Sequence, residues 1–232
     1  YPLMKVIDLS RELRNGMQVF PGDPPYRHEY VKFARRYGEV TLSKIEMGAH
    51  SGTHVDAPAH FVPDGDTLER ISADRFVAHG SVLDLSWKRP GEAISAGDLG
   101  KFGDKIARGR AVMIYTGFSS RYGTEEFFYN WPYLDRSAAD YLAGAGVAAV
   151  GVEGMSVAGY AGAEGYPYPP RVPRDDVVYV HYRLLSSGVI IIENLTNLDA
   201  VLRECGGEAL FVFAPIKIGG GEGGPARALA IC

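Results

Sequence analysis

Three of the six histidines fall in one window of the chain, together with an aspartate: His50-Ser51-Gly52-Thr53-His54-Val55-Asp56-Ala57-Pro58-Ala59-His60. Neutral imidazole and carboxylate are the usual ligands for zinc, manganese and iron. His54 and Asp56 lie two apart, so an extended backbone points both side chains to one side. His50 and His54 have the spacing of a helical face, but Gly52 and Pro58 oppose a continuous helix. The cluster is therefore expected on a strand end and a following turn. A lone histidine is most simply a surface or core residue; three with an aspartate this close read as a metal site. Three protein ligands leave a position open for water, the mark of a catalytic site. With only two cysteines, a structural zinc centre is not indicated.

The same chemistry defines the other candidates. His60 has an ordinary pKa of about 6.5 and could hand a proton to a leaving nitrogen. Pro58 and Ala59 separate it from Asp56, so it need not compete for the same metal. His181 sits in the apolar run Val178-Tyr179-Val180-His181-Tyr182 and by residue type alone reads as a core or interface residue. Glu193 ends an apolar strand, and a buried carboxylate there needs a partner: a metal, an arginine or a backbone amide. His28 and His79 read as surface histidines, and Asp23 as a turn-stabilising residue. Tyr160, Tyr166 and Tyr168 are open between lining an aromatic pocket and packing at a subunit interface. The run Gly219–Gly224 lacks the Gly-Lys-Ser/Thr ending of a phosphate loop and reads as a hairpin turn.

The elements that must position these residues follow from the patterning. Val6–Leu9 and Met17–Phe20 read as strands around the turn Arg14-Asn15-Gly16. Thr41–Met47 alternates like a half-buried strand. Ser81–Leu85, Ala111–Tyr115, Val147–Val152, Val189–Ile192, Ala209–Phe213 and Ala226–Ile231 read as further strands. Helices are expected over Ser95–Phe102, from a cap at Asp135 to about Gly144, from Asp175 to Leu185, and from Leu198 to Glu204. Strand and helix alternate, which implies an α/β architecture. Two long irregular segments, Thr116–Leu134 and Gly154–Arg174, carry enough Tyr, Phe and Trp to form ordered walls.

Size and charge bound the rest. At 232 residues the chain reads as a single domain over residues 1–232, large enough to fold without staples. A net charge of −4 argues against nucleic acid or an anionic membrane as the main partner. No apolar run approaches the roughly 18 residues of a membrane span. Tyr1–Lys5 lacks a signal peptide's apolar stretch, and Met4 reads as a natural start. Cys205 and Cys232 form no Cys-x-x-Cys pair, so a cytoplasmic protein with reduced thiols is expected.

The eleven-residue window also carries a resemblance. His50-x-Gly52-Thr53-His54-x-Asp56-x-Pro58-x-His60 is similar to the signature of the cyclase family of metal-dependent hydrolases, to which bacterial kynurenine formamidases and isatin hydrolases belong. Further segments resemble that family along nearly the whole chain: Phe20-Pro21-Gly22-Asp23-Pro24, Thr116–Leu134, Gly151-Val152-Glu153 with Ser156, His181, Glu193, and Pro215-Ile216-Lys217 with Pro225-Ala226-Arg227. The resemblance implies a swivelling β/β/α fold with a mixed sheet. It implies that His50, His54 and Asp56 hold a first metal, and that Asp56 bridges to a second held by His181 and Glu193. His60 becomes the acid–base residue, and zinc or manganese the cofactor, as one or two ions. It implies a homodimer or tetramer with sites near the subunit interface. Two departures bear on substrate: Phe20 stands where kynurenine formamidases carry Trp, and Glu153 and Ala158 replace two family aspartates.

The reading that results is a metal-dependent hydrolase of a C–N bond in an aryl formamide, lactam or other cyclic amide. Its partner is a small aromatic or cyclic amide. Two alternatives stand beside it. One is a 2-His-1-carboxylate iron oxygenase using His54, Asp56 and a distant histidine, which the βα alternation disfavours. The other is a non-catalytic metal- or ligand-binding member, which the presence of His60 disfavours.

Overall fold

The structure, a computed structural model, describes residues 4–232, so the reading of Met4 as a start following three extra residues lies partly outside the described residues. Thirteen strands are present: β1 (Val6–Asp8), β2 (Arg27–Lys32), β3 (Leu42–Glu46), β4 (His54–Asp56), β5 (Val77–Asp84), β6 (Ala93–Ile94), β7 (Ala111–Tyr115), β8 (Tyr133–Leu134), β9 (Ala149–Val152), β10 (Ile190–Glu193), β11 (Glu208–Val212), β12 (Gly223–Pro225) and β13 (Leu229–Ile231). Four α-helices accompany them among the described residues: α1 (Ala96–Leu99), α2 (Arg136–Ala145), α3 (Arg174–Ser186) and α4 (Leu198–Cys205). Nine strands form one mixed sheet in the order β1-β13-β11-β5-β7-β9-β10-β4-β12. The central run β5-β7-β9-β10 is parallel, and antiparallel strands flank it on both sides. The fold is thus α/β with a mixed sheet, as expected.

The central strands are apolar on both faces, as parallel strands buried between layers must be. On β7, Val112 and Ile114 face one core and Ala111 and Met113 the other; on β10, Ile191 faces the first and Ile190 and Ile192 the second. The first core is closed by α1, α2 and α3 through Leu99, Ala138, Leu142, Val177, Val180 and Leu184. The second is closed by α4 through Leu198 and Val201. Local signals set the helix ends. Ser95 and Asp98 make reciprocal side-chain-to-backbone bonds that open α1. Asp135 accepts from the Ala138 amide to open α2, and Gly146 closes it at φ 67°.

The N-terminal hairpin expectation is corrected. Residues 17–20 form no strand. The Gln18 side chain instead bonds the Thr124 carbonyl and the Gly123 amide, both at 2.7 Å. Asn15 uses its side-chain amide to hold both backbone groups of His28. The strand that pairs with β3 is β2, which sequence patterning missed. Both strands of this hairpin are almost wholly solvent-facing, so β3 is not half-buried as its alternation implies.

The two long loops are ordered walls. Phe118, Phe127, Trp131, Met155 and Tyr160 make a third buried cluster, against which Phe20 packs. The cysteine expectation is also corrected: Cys205 and Cys232 are joined as a disulfide, with Cα atoms 5.9 Å apart. The end of α4 and the end of β13 meet in space although they lie 27 residues apart. Among the described residues, no helix is long and apolar enough to cross a membrane.

Candidate metal centre

The site forms at the β10–β4–β12 edge of the sheet. In the antiparallel pairing of β4 with β10, Ile191 lies opposite Asp56, and Glu193 lies opposite His54. Val55, between the two candidate ligands, is buried in the α4-side core. His54, Asp56 and Glu193 therefore project to the other face, the one roofed by α3. Helical spacing brings His181 to the same face as Val177, Val180 and Leu184. The site is thus a polar patch in an otherwise apolar sheet–helix interface. His50 reaches it from the turn before β4, and His60 from the single turn of 3₁₀ helix Pro58–His60 after it. The expected strand end and following turn are both present.

All five candidate ligands and His60 converge. His50 Nδ1 lies 2.9 Å from Asp56 Oδ1. His54 Nε2 lies 3.4 Å from Asp56 Oδ1 and 3.3 Å from Glu193 Oε2. His181 Nε2 lies 3.5 Å from Glu193 Oε1. The His50 and His60 rings stack at 4.1 Å, and Phe61 stacks on His181 at 4.3 Å. Donor atoms of His54, Asp56 and Glu193 lie within 4.8 Å of one another, and so do those of His50, Asp56 and His60. Asp56 is common to both groups. His60 is thus nearer a ligand position than its separation along the chain implies.

Backbone carbonyls orient two of the imidazoles. His54 Nδ1 donates to the Gly52 carbonyl at 2.8 Å, and His181 Nδ1 donates to the Val177 carbonyl at 2.8 Å. Each bond presents the opposite nitrogen, Nε2, to the carboxylates; ligating histidines are held in this way. Glu193 is fixed in turn, its Oε1 accepting from the Val157 amide at 2.6 Å. Gly52 adopts φ 63°, which turns the chain tightly enough for its carbonyl to meet the ring two residues on.

The electrostatics are those of a cation site. His54, Asp56, His181 and Glu193 are all buried. Burial alone would lower the His54 pKa and raise that of Asp56. Their mutual contacts reverse both. Asp56 and Glu193 lift His54 to about 10, and His50 and His54 hold Asp56 well below the usual carboxylate range. Glu193 is held down by His181 and His54 against its burial and the nearby Asp56 charge; His181 is raised against its burial by Glu193. Burial, in contrast, wins at His60 and takes it to about 4.

A divalent cation fits this donor set. The buried atoms His50 Nε2, His54 Nε2 and Asp56 Oδ2 have no hydrogen-bond partner within the protein. Two carboxylates and three imidazoles offer oxygen and nitrogen donors of the kind zinc and manganese take.

Above the buried ligands lies a cavity of about 180 Å³. Phe20, Phe61, Met155 and Val177 make its apolar walls; Asp23, Ser156 and Arg174 add polar groups. Asp23, read from the sequence as a turn residue, does occupy a turn, its amide bonding the Phe20 carbonyl. It also faces the site: burial raises its carboxyl, and the charges of His50 and His54 lower it. Tyr160 is buried behind Phe20 and Trp131 rather than lining the cavity. Sequence reasoning missed Glu222, whose Oε1 lies 3.5 Å from His50 Nε2, and Gly223. A Cβ at Gly223 would stand 2.6 Å from the His50 ring, so only glycine lets β12 pass there. The Gly-rich run does make the expected turn, and its far limb is β12. Glu153 accepts from the Thr116 amide and hydroxyl and from the Phe118 amide, and so anchors the aromatic loop.

The chain is similar to known proteins along nearly its whole length. The kynurenine formamidase of Bacillus cereus is 29% identical over 224 residues, covering 96% of this chain and 95% of the relative. A structure described as a predicted metal-dependent hydrolase from Bacillus stearothermophilus superposes with a TM-score of 0.73 at 29% identity, over 98% of both chains. Isatin hydrolase A from Ralstonia solanacearum shares the fold, with a TM-score of 0.82 at 24% identity over 98% of this chain and 92% of that one. The family model "Cyclase" (Putative cyclase) matches residues 7–158, a span that holds the His50–His60 window, and the chain belongs to that family.

Proposed function

We propose that this protein is a metal-dependent amidohydrolase that cleaves the C–N bond of an aryl formamide or a cyclic amide. The observation that carries the reading is Asp56, shared between two groups of converging donors in which the buried His50 Nε2, His54 Nε2 and Asp56 Oδ2 have no hydrogen-bond partner within the protein. The similarity to kynurenine formamidases and to metal-dependent hydrolases supports it. His50, His54 and Asp56 would hold a first zinc or manganese ion, and His181 and Glu193 with Asp56 would hold a second. When bound, a divalent cation supplies water activation at neutral pH and polarisation of the carbonyl.

The chain's own residues do the rest. Water adds its oxygen to the carbonyl carbon, the C–N bond breaks, and the nitrogen leaves with a proton. His60, beside the candidate ligands at the cavity wall, would accept the proton of the attacking water and pass it to that nitrogen. Phe20 and Phe61 enclose the aromatic ring of the substrate. His60 has a second reading, because it also shares a donor group with His50 and Asp56: that of a ligand. The experiment is a hydrolysis screen of formanilide, lactams and isatin, with elemental analysis on the same preparations. Hydrolysis that depends on bound zinc or manganese supports the assignment.

The assembly is a homodimer in this proposal. Tyr30, Val31, Phe33, Val40, Leu42 and Ile45 of the β2–β3 hairpin are all exposed in a single chain. An isolated two-stranded hairpin is marginal in water, and a second copy covering it would bury this apolar surface. Light scattering on the purified protein reads the state directly.

A further inference from the structure

We infer that Arg174 selects substrates bearing an anionic group, a carboxylate on the aromatic ring, by pairing with it at the mouth of the cavity; this rests on the amidohydrolase reading above. Among the described residues, Arg174 is the only lysine or arginine lining the cavity. It is the first residue of α3, the helix that also delivers His181. Its guanidinium has no hydrogen-bond or ion-pair partner among the described residues. The other arginines near the aromatic loops are engaged: Arg136 pairs with Asp176, Arg121 with Glu126, and Arg171 lies over the Tyr129 ring. The next acidic residues are no exception, since Asp175 makes no ion pair with Arg174 and Asp176 is taken by Arg136.

The arrangement of charge across the cavity gives the substrate a direction. The deep side carries Glu193 with Asp56 beneath it, and Asp23 lines the wall. These carboxylates repel an anion unless a cation screens it. Arg174 is exposed at the rim. Phe20, Phe61, Met155 and Val177 line the same cavity, an apolar wall suited to one aromatic ring. A ring held there with its amide toward the histidines has its far edge facing Arg174. A guanidinium matches a carboxylate in two parallel hydrogen bonds, which fixes orientation as well as adding affinity. Solvent at the rim screens the pair, so the effect is modest, about fivefold.

The test compares formanilide with 4-formamidobenzoate, which differ by one carboxylate remote from the scissile bond, on metal-loaded full-length enzyme. Arg174→Ala lowers kcat/KM for 4-formamidobenzoate about fivefold, through KM, and leaves formanilide unchanged; Arg174→Lys restores part of the loss. An equal fall for both substrates, or no change for either, overturns the assignment. Binding of 4-aminobenzoate and of aniline, followed by calorimetry, separates this inference from the reading it rests on. If neither formamide is hydrolysed by the unaltered protein, the amidohydrolase reading fails. In that case weaker 4-aminobenzoate binding in Arg174→Ala, with aniline unaffected, still supports the carboxylate contact, and equal binding rejects it.

Discussion

Glu193 stands directly across the antiparallel ladder from His54, with 3.3 Å between Oε2 and Nε2, and both side chains are buried. A carboxylate and an imidazole buried together are stable only with matched charge, and removing one leaves the other uncompensated. Glu193→Gln is expected to lose one equivalent of metal while His50 and Asp56 still hold the other. Elemental analysis of the variant against the parent protein checks this. Undiminished metal content removes Glu193 from the ligand set.

The glycine against His50 gives a second expectation. Gly223→Ala pushes a methyl group into the His50 ring and toward the Val55 carbonyl, 3.1 Å away. Displacing a ligand's support typically costs 10–100-fold in metal affinity, and a loss of about that size is expected. Gly219→Ala, in the same turn, meets nothing within 4 Å and serves as the control. Competition with a chromophoric chelator measures both, and equal affinities in the two variants count against the packing argument.

Of these two positions, Glu193 was legible in the sequence and Gly223 was not. The ligand window could be read because its geometry is local: a two-residue spacing on a strand and a turn closed by Pro58 need no knowledge of the fold. That the sheet has buried central strands could also be anticipated, since Val189–Ile192 and Ala111–Tyr115 are apolar throughout. Gly223 and Asp23 could not be read, because each acts on the histidines across a tertiary contact that only the β4–β12 pairing and the Phe20 turn create. The strand expected at residues 17–20 failed for a related reason. Gln18 satisfies backbone groups of a distant loop through its side chain, and patterning registers no such partner. The hairpin's exposure escaped because alternation reports which residues share a face, not whether anything covers it.

A third expectation concerns pH and stability away from the site. Burial alone would raise the Asp98 carboxyl. The Lys88 ammonium at 2.7 Å and the Ser95 amide and hydroxyl at 2.9 Å hold it well below the usual carboxylate range. A carboxyl depressed in the folded state adds stability above its unfolded pKa, and that contribution is lost as pH falls through the folded value. Asp98→Asn therefore destabilises the protein by about 1 kcal/mol at pH 7. The gap between the two proteins narrows below about pH 4. Urea melts at pH 7 and pH 3 test the sign; a gap that widens in acid contradicts it.

The Cys205–Cys232 bond yields a fourth. Closing a loop of this length stabilises a fold by about 2–4 kcal/mol, so Cys232→Ser lowers the unfolding free energy by that order. Alkylation of the denatured protein without reductant, read by mass spectrometry, should modify neither cysteine. Two alkylated thiols show that the pair is reduced in solution.

The most direct test of the central claim is hydrolysis of formanilide by chelator-stripped protein, before and after addition of zinc or manganese, in the parent protein and in Asp56→Asn. Asp56 joins both donor groups, so its loss disables the whole centre. The account predicts no activity in the stripped parent, recovery on adding metal, and neither metal retention nor recovery in Asp56→Asn. Full activity in the stripped parent, or an Asp56→Asn variant that binds metal and turns over like the parent, contradicts it.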